Sequence, residues 1–578
     1  MSAIPESSRA SAPASSADHL ISGPPVSGPS RRTFLGGAAI GAVGVLGTVY
    51  AGSAAADGTK APSGNVFRHG VASGDPLPDR VILWTRVTPT PDAVPGSGKG
   101  ASTTVRWEVA TSPDFGSVVS SGVTTTGPEQ DLTVKVDAGG LTPNTNYHFR
   151  FHVTSGPAAG STSPVGQTKT APATAADVAK VRFGVVSCSN WEAGYFSAYR
   201  HLAAQPGLDA IVHLGDYIYE YGTAEFGGGT GVVRPHDPLH EIVSLADYRT
   251  RHGQYKSDPD LQAAHLNLPW ICTWDDHESA NDAYAGGAEN HDASEGDWPA
   301  RKAASEQAYF EWMPVRPEVD AGGRHLYRRL RYGNLLEISM LDLRTYRTEQ
   351  QSMLSNKVDS TSASITGSAQ MSWLTNGVVS SPTRWKIVGN PVMISPILIP
   401  PLEPATTAAL TDLLGVPKGG IPLNSDAWDG YTADRDRLHK ALRDNNVENT
   451  VFITGDIHMS FACDVPVDAA NYPGAGTVGT ELVVTSVTSN NIDDIVGAPE
   501  YTVGAAAAVA MTNINRHIRW VDTDAHGYAV LTVTPAATQM DWFFVNNRAD
   551  PRSGQRYGQS WRVPSGTQRV QPSGSPAQ

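Results

Sequence analysis

The fold is decided by Ile211-Val212-His213-Leu214-Gly215-Asp216-Tyr217-Ile218-Tyr219. In this stretch an apolar run leads directly into a glycine, an acid and, three residues after the acid, a phenol. From Val181 onward, similar apolar runs alternate with helical segments, which predicts an α/β core of layered sheets flanked by helices. Ligands of open α/β sheets bind at the carboxyl ends of strands, so polar motifs there can converge. We therefore expect a binding crevice at Asp216.

Seven apolar runs are expected to be strands of this core, at residues 181–186, 210–214, 270–273, 335–341, 385–388, 451–453 and 482–485. Four of them lead into polar motifs. These motifs are Ser187-Cys188-Ser189-Asn190, Gly215-Asp216-Tyr217-Ile218-Tyr219, Thr273-Trp274-Asp275-Asp276-His277-Glu278 and Thr454-Gly455-Asp456-Ile457-His458.

The four motifs differ in how strongly each one points to chemistry. A lone cysteine such as Cys188 is more often a buried small apolar residue than a ligand. The Gly215-Asp216 pair could form a simple turn. Packing alone does not require the dense run of titratable groups from Asp275 to Glu278, whereas Asp456 and His458, two apart on an extended backbone, can face one crevice.

Together the motifs match a metallophosphatase pattern, in which carboxylate, phenolate and imidazole groups from successive strand ends hold two or more metal ions. Hard oxygen ligands suit Fe³⁺ and Ca²⁺, and bound cations offset the repulsion between clustered acids. Two metals about 3.5–4 Å apart can deprotonate a bridging water and assist in-line displacement at phosphorus.

The chain resembles the alkaline phosphatase D family over essentially its whole mature length. The resemblance is carried by a twin-arginine signal and by Gly70-Val71-Ala72-Ser73-Gly74-Asp75-Pro76, Ser187-Cys188-Ser189, Gly215-Asp216-Tyr217-Ile218-Tyr219-Glu220-Tyr221, Trp274-Asp275-Asp276-His277-Glu278, Leu341-Asp342-Leu343-Arg344 and Gly455-Asp456-Ile457-His458.

The resemblance, extended to the purple acid phosphatases, implies a set of metal ligands. Cys188, Tyr219 and His458 would bind Fe³⁺, and Asp216 would bridge to a second metal. Asp276 and Asp456 would bind Ca²⁺, for which carboxylates are better ligands than the nitrogen and amide groups they replace. Asn390, after another strand, is expected to complete the second site.

Two further residues are candidates for handling the substrate. His277 could contact the phosphate or protonate the leaving group, or it could only hydrogen-bond a neighbouring carboxylate. Arg344 could neutralise a phosphate oxygen through its planar guanidinium, or it could form a structural salt bridge. Asp275 is expected to orient a neighbour rather than to bind metal.

An N-terminal fibronectin- or immunoglobulin-like all-β sandwich is expected at residues 66–170, where short runs of alternating apolar residues are separated by turn residues. One turn within it has the sequence Leu141-Thr142-Pro143-Asn144-Thr145-Asn146-Tyr147. This turn resembles the one in fibronectin type III domains that is held in place by a tyrosine hydroxyl. The catalytic domain is expected at residues 181–560, followed by a flexible tail at 564–578.

Residues 1–56 are expected to be a twin-arginine signal peptide, because Ser30-Arg31-Arg32-Thr33-Phe34-Leu35 precedes a short, glycine-rich apolar run. That run is too short and too weakly apolar for a membrane anchor, which needs about 20 apolar residues. Export by the twin-arginine translocase and a secreted location follow as expectations. The pathway carries folded proteins, which agrees with a chain of only three cysteines.

The composition excludes some partners. The 578 residues carry 43 Lys and Arg against 57 Asp and Glu, a formal net charge of -14, whereas nucleic-acid binding needs clustered basic residues.

We expect a secreted metal-dependent phosphoesterase, acting on phosphate monoesters or diesters by metal-activated hydroxide attack. A phospholipase D or a teichoic-acid phosphodiesterase, acting on a phospholipid or a wall polymer, is an alternative. Another class of function is a non-catalytic wall-binding protein with a vestigial metal site.

Overall fold

The computed structural model describes residues 66–578, apart from 227–230, 321–322, 405–406, 408–410 and 412. The signal peptide predicted at residues 1–56 lies outside the described residues. The strands of residues 66–170 are β1 (Val71–Gly74), β2 (Arg80–Arg86), β3 (Thr103–Ala110), β4 (Val118–Thr126), β5 (Thr133–Gly139), β6 (Asn146–Val153) and β7 (Gly166–Lys169).

The strands that follow are β8 (Val181–Val186), β9 (Ala210–His213), β10 (Pro269–Cys272), β11 (Glu318–Asp320), β12 (Gly323–His325), β13 (Arg328–Tyr332), β14 (Leu336–Met340), β15 (Trp385–Asn390), β16 (Leu398–Ile399), β17 (Ile421–Pro422), β18 (Thr450–Thr454), β19 (Ser460–Pro466), β20 (Thr477–Val483), β21 (Ile518–Asp522), β22 (Gly527–Val533), β23 (Ala537–Val545), β24 (Gln555–Pro564) and β25 (Gln571–Ser573). Each of the seven strands expected for the core overlaps one of these.

The α-helices of the described residues are α1 (Ser197–Ala203), α2 (Leu245–Tyr255), α3 (Pro259–Asn267), α4 (Trp298–Trp312), α5 (Gly367–Ser380), α6 (Thr432–Asp444), α7 (Ile492–Val496) and α8 (Val503–Ile514). The helix α2 begins at a capping box. The Ser244 hydroxyl accepts a hydrogen bond from the Asp247 backbone N–H, and the Asp247 carboxylate accepts one from the Ser244 backbone N–H. No helix among the described residues has both the length and the apolar character needed to cross a membrane.

Two large sheets pack face to face at the centre of the molecule. One has the strand order β25-β24-β23-β22-β8-β9-β10-β1-β2-β5, and the other has the order β13-β14-β15-β18-β20-β19-β21. Val185 and Val212 of the first sheet share one buried cluster with Ile338, Ile387 and Ile453 of the second. The inner strands are apolar on both faces because both faces are covered.

Helices cover the two outer faces. Val186 and Ile211, which point away from the central cluster, pack with residues of α1 to α4. On the second sheet, Val388 and Phe452 pack in the same way with α5 and α6. The α/β core of layered sheets flanked by helices, predicted from the alternating apolar runs, is confirmed, and its layers are ordered helix–sheet–sheet–helix.

The N-terminal β-region differs from the expected separate sandwich. Its two layers do pack around one apolar cluster, but β1, β2 and β5 belong to the ten-stranded sheet, and only β4-β3-β6-β7 form a sheet of their own. The join is made by β1, which pairs in parallel with β10. Alternating patterning shows which face of a strand is buried, but it does not show which strand lies along its edge.

The turn before β6 forms as predicted. The backbone N–H of Thr142 donates to the Tyr147 hydroxyl at 2.8 Å, so the tyrosine pins the corner. The tail differs from the expectation, because β25 pairs with β24 and the Val570 N–H donates to the buried Asp464 carboxylate at 2.7 Å. The polar composition of residues 564–578 indicated flexibility and gave no signal for this edge pairing.

A buried ion pair ties the two large sheets together. Asp75, directly after β1, accepts two hydrogen bonds from Arg328 at the start of β13, at 2.8 and 2.6 Å. Arg328 also donates to the Cys272 carbonyl of β10 at 3.0 Å. Both side chains of the pair are almost fully buried, at 3% and 1% exposure.

Replacing Asp75 with Asn is therefore expected to lower the free energy of unfolding by about 3–5 kcal/mol, because it leaves the Arg328 charge buried without a counter-ion. Denaturant unfolding measures the change. The control is Asp79→Asn, which removes an exposed carboxylate from its pair with Arg80 and is expected to cause no measurable change. Equal effects of the two variants would contradict the assignment.

Candidate metal centre

The carboxyl ends of strands from both large sheets meet at one crevice. In the first sheet β8, β9 and β10 run parallel, and in the second β14, β15 and β18 do. The loops that follow five of these strands supply the predicted residues Cys188, Asp216, Tyr219, Asp276, His277, Arg344, Asp456 and His458, all of which are buried.

Four of the predicted ligands adopt a left-handed backbone. The φ angle is +58° at Cys188, +58° at Asp216, +67° at Asp456 and +59° at His458. Residues with a Cβ atom seldom adopt this conformation, and it concentrates at functional sites where the surrounding structure enforces it. Gly215 is needed beside them, because a Cβ there would lie 2.5 Å from the Asp275 Cβ. The loops after β9 and β10 can thus touch.

One group combines sulfur, nitrogen and oxygen donors. Ligand atoms of Cys188, Asp216 and His458 lie within 4.8 Å of one another. The Tyr219 hydroxyl is 3.0 Å from Asp216 Oδ2 and 3.4 Å from His458 Nε2. His458 Nδ1 lies 2.7 Å from the Asn490 carbonyl, so Nδ1 carries the proton and Nε2 keeps a lone pair for the group.

Three more groups are built mainly from carboxylates. They are Asp216 with Asp276 and His277, Asp275 with Asp276 and Asp456, and Asp276 with Asp282 and Asp426. Asp216 joins the sulfur-containing group to the carboxylates, and Asp276 belongs to all three carboxylate groups. The four groups therefore form one continuous run of potential ligands.

Asp282 and Asp426 were missed by the sequence analysis. Neither follows a strand of the sheets directly: Asp282 lies six residues beyond Asp276, and Asp426 lies in the loop before α6. In the structure, Asp282 has a left-handed φ of +54°, like four of the predicted ligands. We find no sequence signal for Asp426, since its position depends on the packing of a long loop.

Burial and mutual repulsion disfavour the charged forms of these groups. Burial raises the pKa of Asp216 well above its ordinary value, and Asp276 and Asp275 raise it further. Burial also raises the pKa of Asp275 to about 7, and that of Glu278 to about 7. The pKa values of the Cys188 thiol and the Tyr219 phenol are raised well above their ordinary range, mainly by burial.

The donor set fits bound cations. Among the described residues, the buried atoms Asp216 Oδ1 and Asp275 Oδ2 have no hydrogen-bond partner, although buried carboxylate oxygens are normally satisfied. A cation would satisfy such an oxygen and would reverse the pKa shifts by stabilising the deprotonated thiol, phenol and carboxyl groups. Thiolate, phenolate, imidazole and carboxylates together can hold a metal ion in this crevice.

Arg344 lies among the carboxylates. It forms two hydrogen bonds to Asp426, at 2.9 and 2.8 Å, and a shorter one to Asp275, and its Nη2 atom is 3.5 Å from Asp276. Arg347 also pairs with Asp426, at 2.6 Å. These contacts match the salt-bridge alternative for Arg344, and a contact with phosphate stays a prediction. Asp275 orients Arg344, as expected of it, but it also belongs to a possible metal-binding group.

His277 forms a buried ion pair. Its Nδ1 atom is 2.7 Å from Glu220 Oε2, and its ring stacks on that of Tyr219 with centroids 4.2 Å apart. Burial alone would lower the pKa of His277, but Glu220, Asp276 and Asp216 outweigh burial and raise it well above its ordinary value. Without bound cations, the imidazolium form of the ring is therefore favoured at the edge of the carboxylate groups.

Asn390 is engaged elsewhere. Its Oδ1 atom accepts from the Trp428 indole at 3.0 Å, and its Nδ2 atom donates to the Val392 carbonyl at 2.5 Å. Its role as a metal ligand stays a prediction that these contacts do not support.

Comparison with known proteins identifies the family. The PhoD-like phosphatase family matches residues 183–542, and the N-terminal domain of PhoD-like phosphatases matches residues 52–172. Alkaline phosphatase D of Bacillus subtilis (strain 168) is 38% identical over 523 residues, which is 89% of this chain and 84% of the relative. A solved structure of PhoD is 34% identical, covers 89% of this chain and 93% of its own, and superposes with a TM-score of 0.78. The chain belongs to the PhoD-like phosphatase family and is a phosphoric ester hydrolase.

Proposed function

We propose that the protein is a metal-dependent phosphoesterase with an iron and calcium centre. The observation that carries this proposal is the continuous run of buried ligand groups through Asp216 and Asp276. Cys188, Tyr219 and His458 would hold Fe³⁺, with Asp216 between it and a second cation. Asp276 and Asp456 would hold Ca²⁺, for which an all-oxygen carboxylate set is suited.

Bound cations supply the positive charge that lowers the pKa of an attacking water and stabilises the negative charge developing at phosphorus. The chain's own residues prepare the crevice for this chemistry. Glu220, whose Oε2 atom lies 2.7 Å from His277 Nδ1, stabilises the imidazolium form, which would donate its proton to the oxygen that leaves phosphorus. Arg344, fixed by Asp275 and Asp426, keeps a guanidinium beside the acids and limits their repulsion.

The protein is proposed to be secreted through the twin-arginine translocase. The support is the Arg31-Arg32 motif ahead of a short apolar run. The buried free cysteines Cys188, Cys272 and Cys463 agree with folding in a reducing compartment before export. The buried ligand groups agree with it too, since a metal enclosed in this way is loaded as the chain folds.

The substrate is a phosphate ester, and hydrolysis rates on three probes separate the possible classes. We expect hydrolysis of an aryl phosphate monoester, of a bis-aryl phosphate diester, or of both. Asp216→Asn should lower the rate at least a hundredfold, whereas Asp114→Asn, a control at an exposed acid, should leave it unchanged. Cleavage of phosphatidylcholine alone would identify a phospholipase instead, and full activity of Asp216→Asn would contradict the proposed centre.

The iron assignment is tested by Tyr219→Phe. Because a tyrosinate bound to Fe³⁺ absorbs visible light, the purified protein should be coloured and the variant should lose the colour. Tyr217→Phe is the matched control, since the Tyr217 hydroxyl lies 2.8 Å from His265 and 3.0 Å from Lys256, not in the ligand groups. The Tyr217→Phe variant should keep its colour. An iron-free wild-type protein with full activity would rule out Cys188 and Tyr219 as iron ligands.

The role of His277 is tested with leaving groups of different quality. If His277 protonates the leaving oxygen, His277→Asn should lower kcat about 10²–10⁴-fold for an alkyl phosphate, and much less for p-nitrophenyl phosphate, whose leaving group needs no proton. The exposed His240, changed to Asn, is the control. Equal losses on both substrates would show that His277 only orders its neighbours.

A further inference from the structure

A pocket lined by arginines lies away from the candidate metal centre. It has a volume of about 390 Å³, and its walls include Arg516, Arg519, Arg569, Tyr472 and Thr512. Arg516 and Arg519 lie where α8 turns into β21, Arg569 lies between β24 and β25, and Tyr472 lies between β19 and β20. Two separate parts of the chain thus bring three guanidinium groups to one cavity of an acidic protein, and a third part adds the phenol of Tyr472.

Two of the three arginines, Arg519 and Arg569, are held by a phenol. Arg519 Nη1 and Arg569 Nη1 both donate to the Tyr472 hydroxyl oxygen, at 3.1 and 3.2 Å. The Tyr472 hydroxyl in turn donates to the buried Asp464 carboxylate at 2.6 Å. A neutral oxygen therefore fixes two positive groups side by side, and the carboxylate behind it fixes the phenol.

The positive charge of the pocket is only partly balanced. Among the described residues, Arg516 and Arg519 form no ion pair, and Arg569 reaches Asp464 only at 3.8 Å. Arg519 and Arg569 share the Tyr472 hydroxyl, so their like charges lie close together, and an anion beside them would offset the part of their repulsion that solvent does not screen.

The hydrogen-bonding capacity of the pocket also selects an anion. The Tyr472 hydroxyl proton is directed to Asp464, and the Thr512 hydroxyl donates to the Ala508 carbonyl at 2.9 Å. The donors left for a ligand are the remaining guanidinium N–H groups, which match planar pairs of oxygen atoms on phosphate or carboxylate. Several arginines around one cavity favour a group with several acceptor oxygens.

The pocket is distant from the catalytic crevice. The strand β19 begins at Ser460, two residues after His458, and runs through Asp464 towards the pocket. Four residues of extended chain separate Ser460 from Asp464, which corresponds to roughly 13 Å. An anion in the pocket therefore does not occupy the metal centre.

We propose that this arginine pocket binds a phosphoryl group as a second site, separate from the catalytic centre. The group has two possible sources: free inorganic phosphate, or a phosphate carried by a long phosphodiester chain whose other phosphates reach the catalytic crevice. Both sources present the same chemistry to the three guanidinium groups.

The test compares wild-type protein with the double variant Arg516→Gln/Arg519→Gln. Calorimetric titration with inorganic phosphate should show a binding event that weakens at least tenfold in the variant. If the bound phosphate is carried by a chain, the KM for a glycerol-phosphate oligomer should instead rise at least tenfold, with the KM for a small aryl phosphate unchanged. The calorimetric measurement does not depend on hydrolysis, so failure of this proposal can be distinguished from failure of the proposed function.

The matched control is Arg437→Gln/Arg443→Gln, which removes two exposed arginines of α6 and the same total charge. If phosphate affinity and oligomer KM change no more in the pocket variant than in this control, the proposal is wrong. Should the pocket variant fold poorly, Arg516→Gln alone takes its place. The Arg516 side chain is exposed and makes no hydrogen bond among the described residues, so its loss leaves the Tyr472 network intact.

Discussion

The repulsion between buried carboxylates is the constraint on which the crevice depends. Asp216, Asp275, Asp276, Asp282, Asp426 and Asp456 are all buried within a few ångströms of their neighbours, with Arg344 and Arg347 as the nearby positive side chains. Without cations, burial raises the pKa of Asp275 and of Glu278 to about 7, compared with about 4 in an unfolded chain. The folded state then binds more protons than the unfolded state between these values, so the metal-free protein loses stability as pH rises from about 4 to about 7. Bound cations would remove that loss and would couple metal binding to the stability of the fold.

The rest of the architecture holds these acids in place. Two face-to-face sheets bring the carboxyl ends of their parallel strands together, and left-handed residues turn each loop sharply into the crevice. The cost of this backbone conformation is of order 1–3 kcal/mol at each position, and the dense packing around the loops sustains it. The Asp75–Arg328 pair fixes the end of β1 to the start of β13, so that the N-terminal β-region reinforces the joint between the sheets.

Much of the fold and of the centre was predictable from the sequence, because both depend on local patterns. Apolar runs of strand length identified seven strands of the core, and polar motifs directly after them identified Cys188, Asp216, Asp276, Asp456 and His458, which the structure brings together. What could not be predicted depends on contacts between distant segments. Asp426 reaches the crevice from a loop without a motif, Asn390 is bound by Trp428, and β1 joins the central sheet through two paired residues of β10. The arginine pocket has the same origin, since its arginines come from segments about 50 residues apart in the sequence.

The most direct test of the proposed metal centre is elemental analysis of the purified protein, combined with hydrolysis rates before and after chelation. We expect bound iron and calcium, loss of activity and a lower unfolding temperature when the metals are removed, and recovery when they are returned. A protein that contains neither metal and hydrolyses phosphate esters at its full rate would contradict the proposed centre.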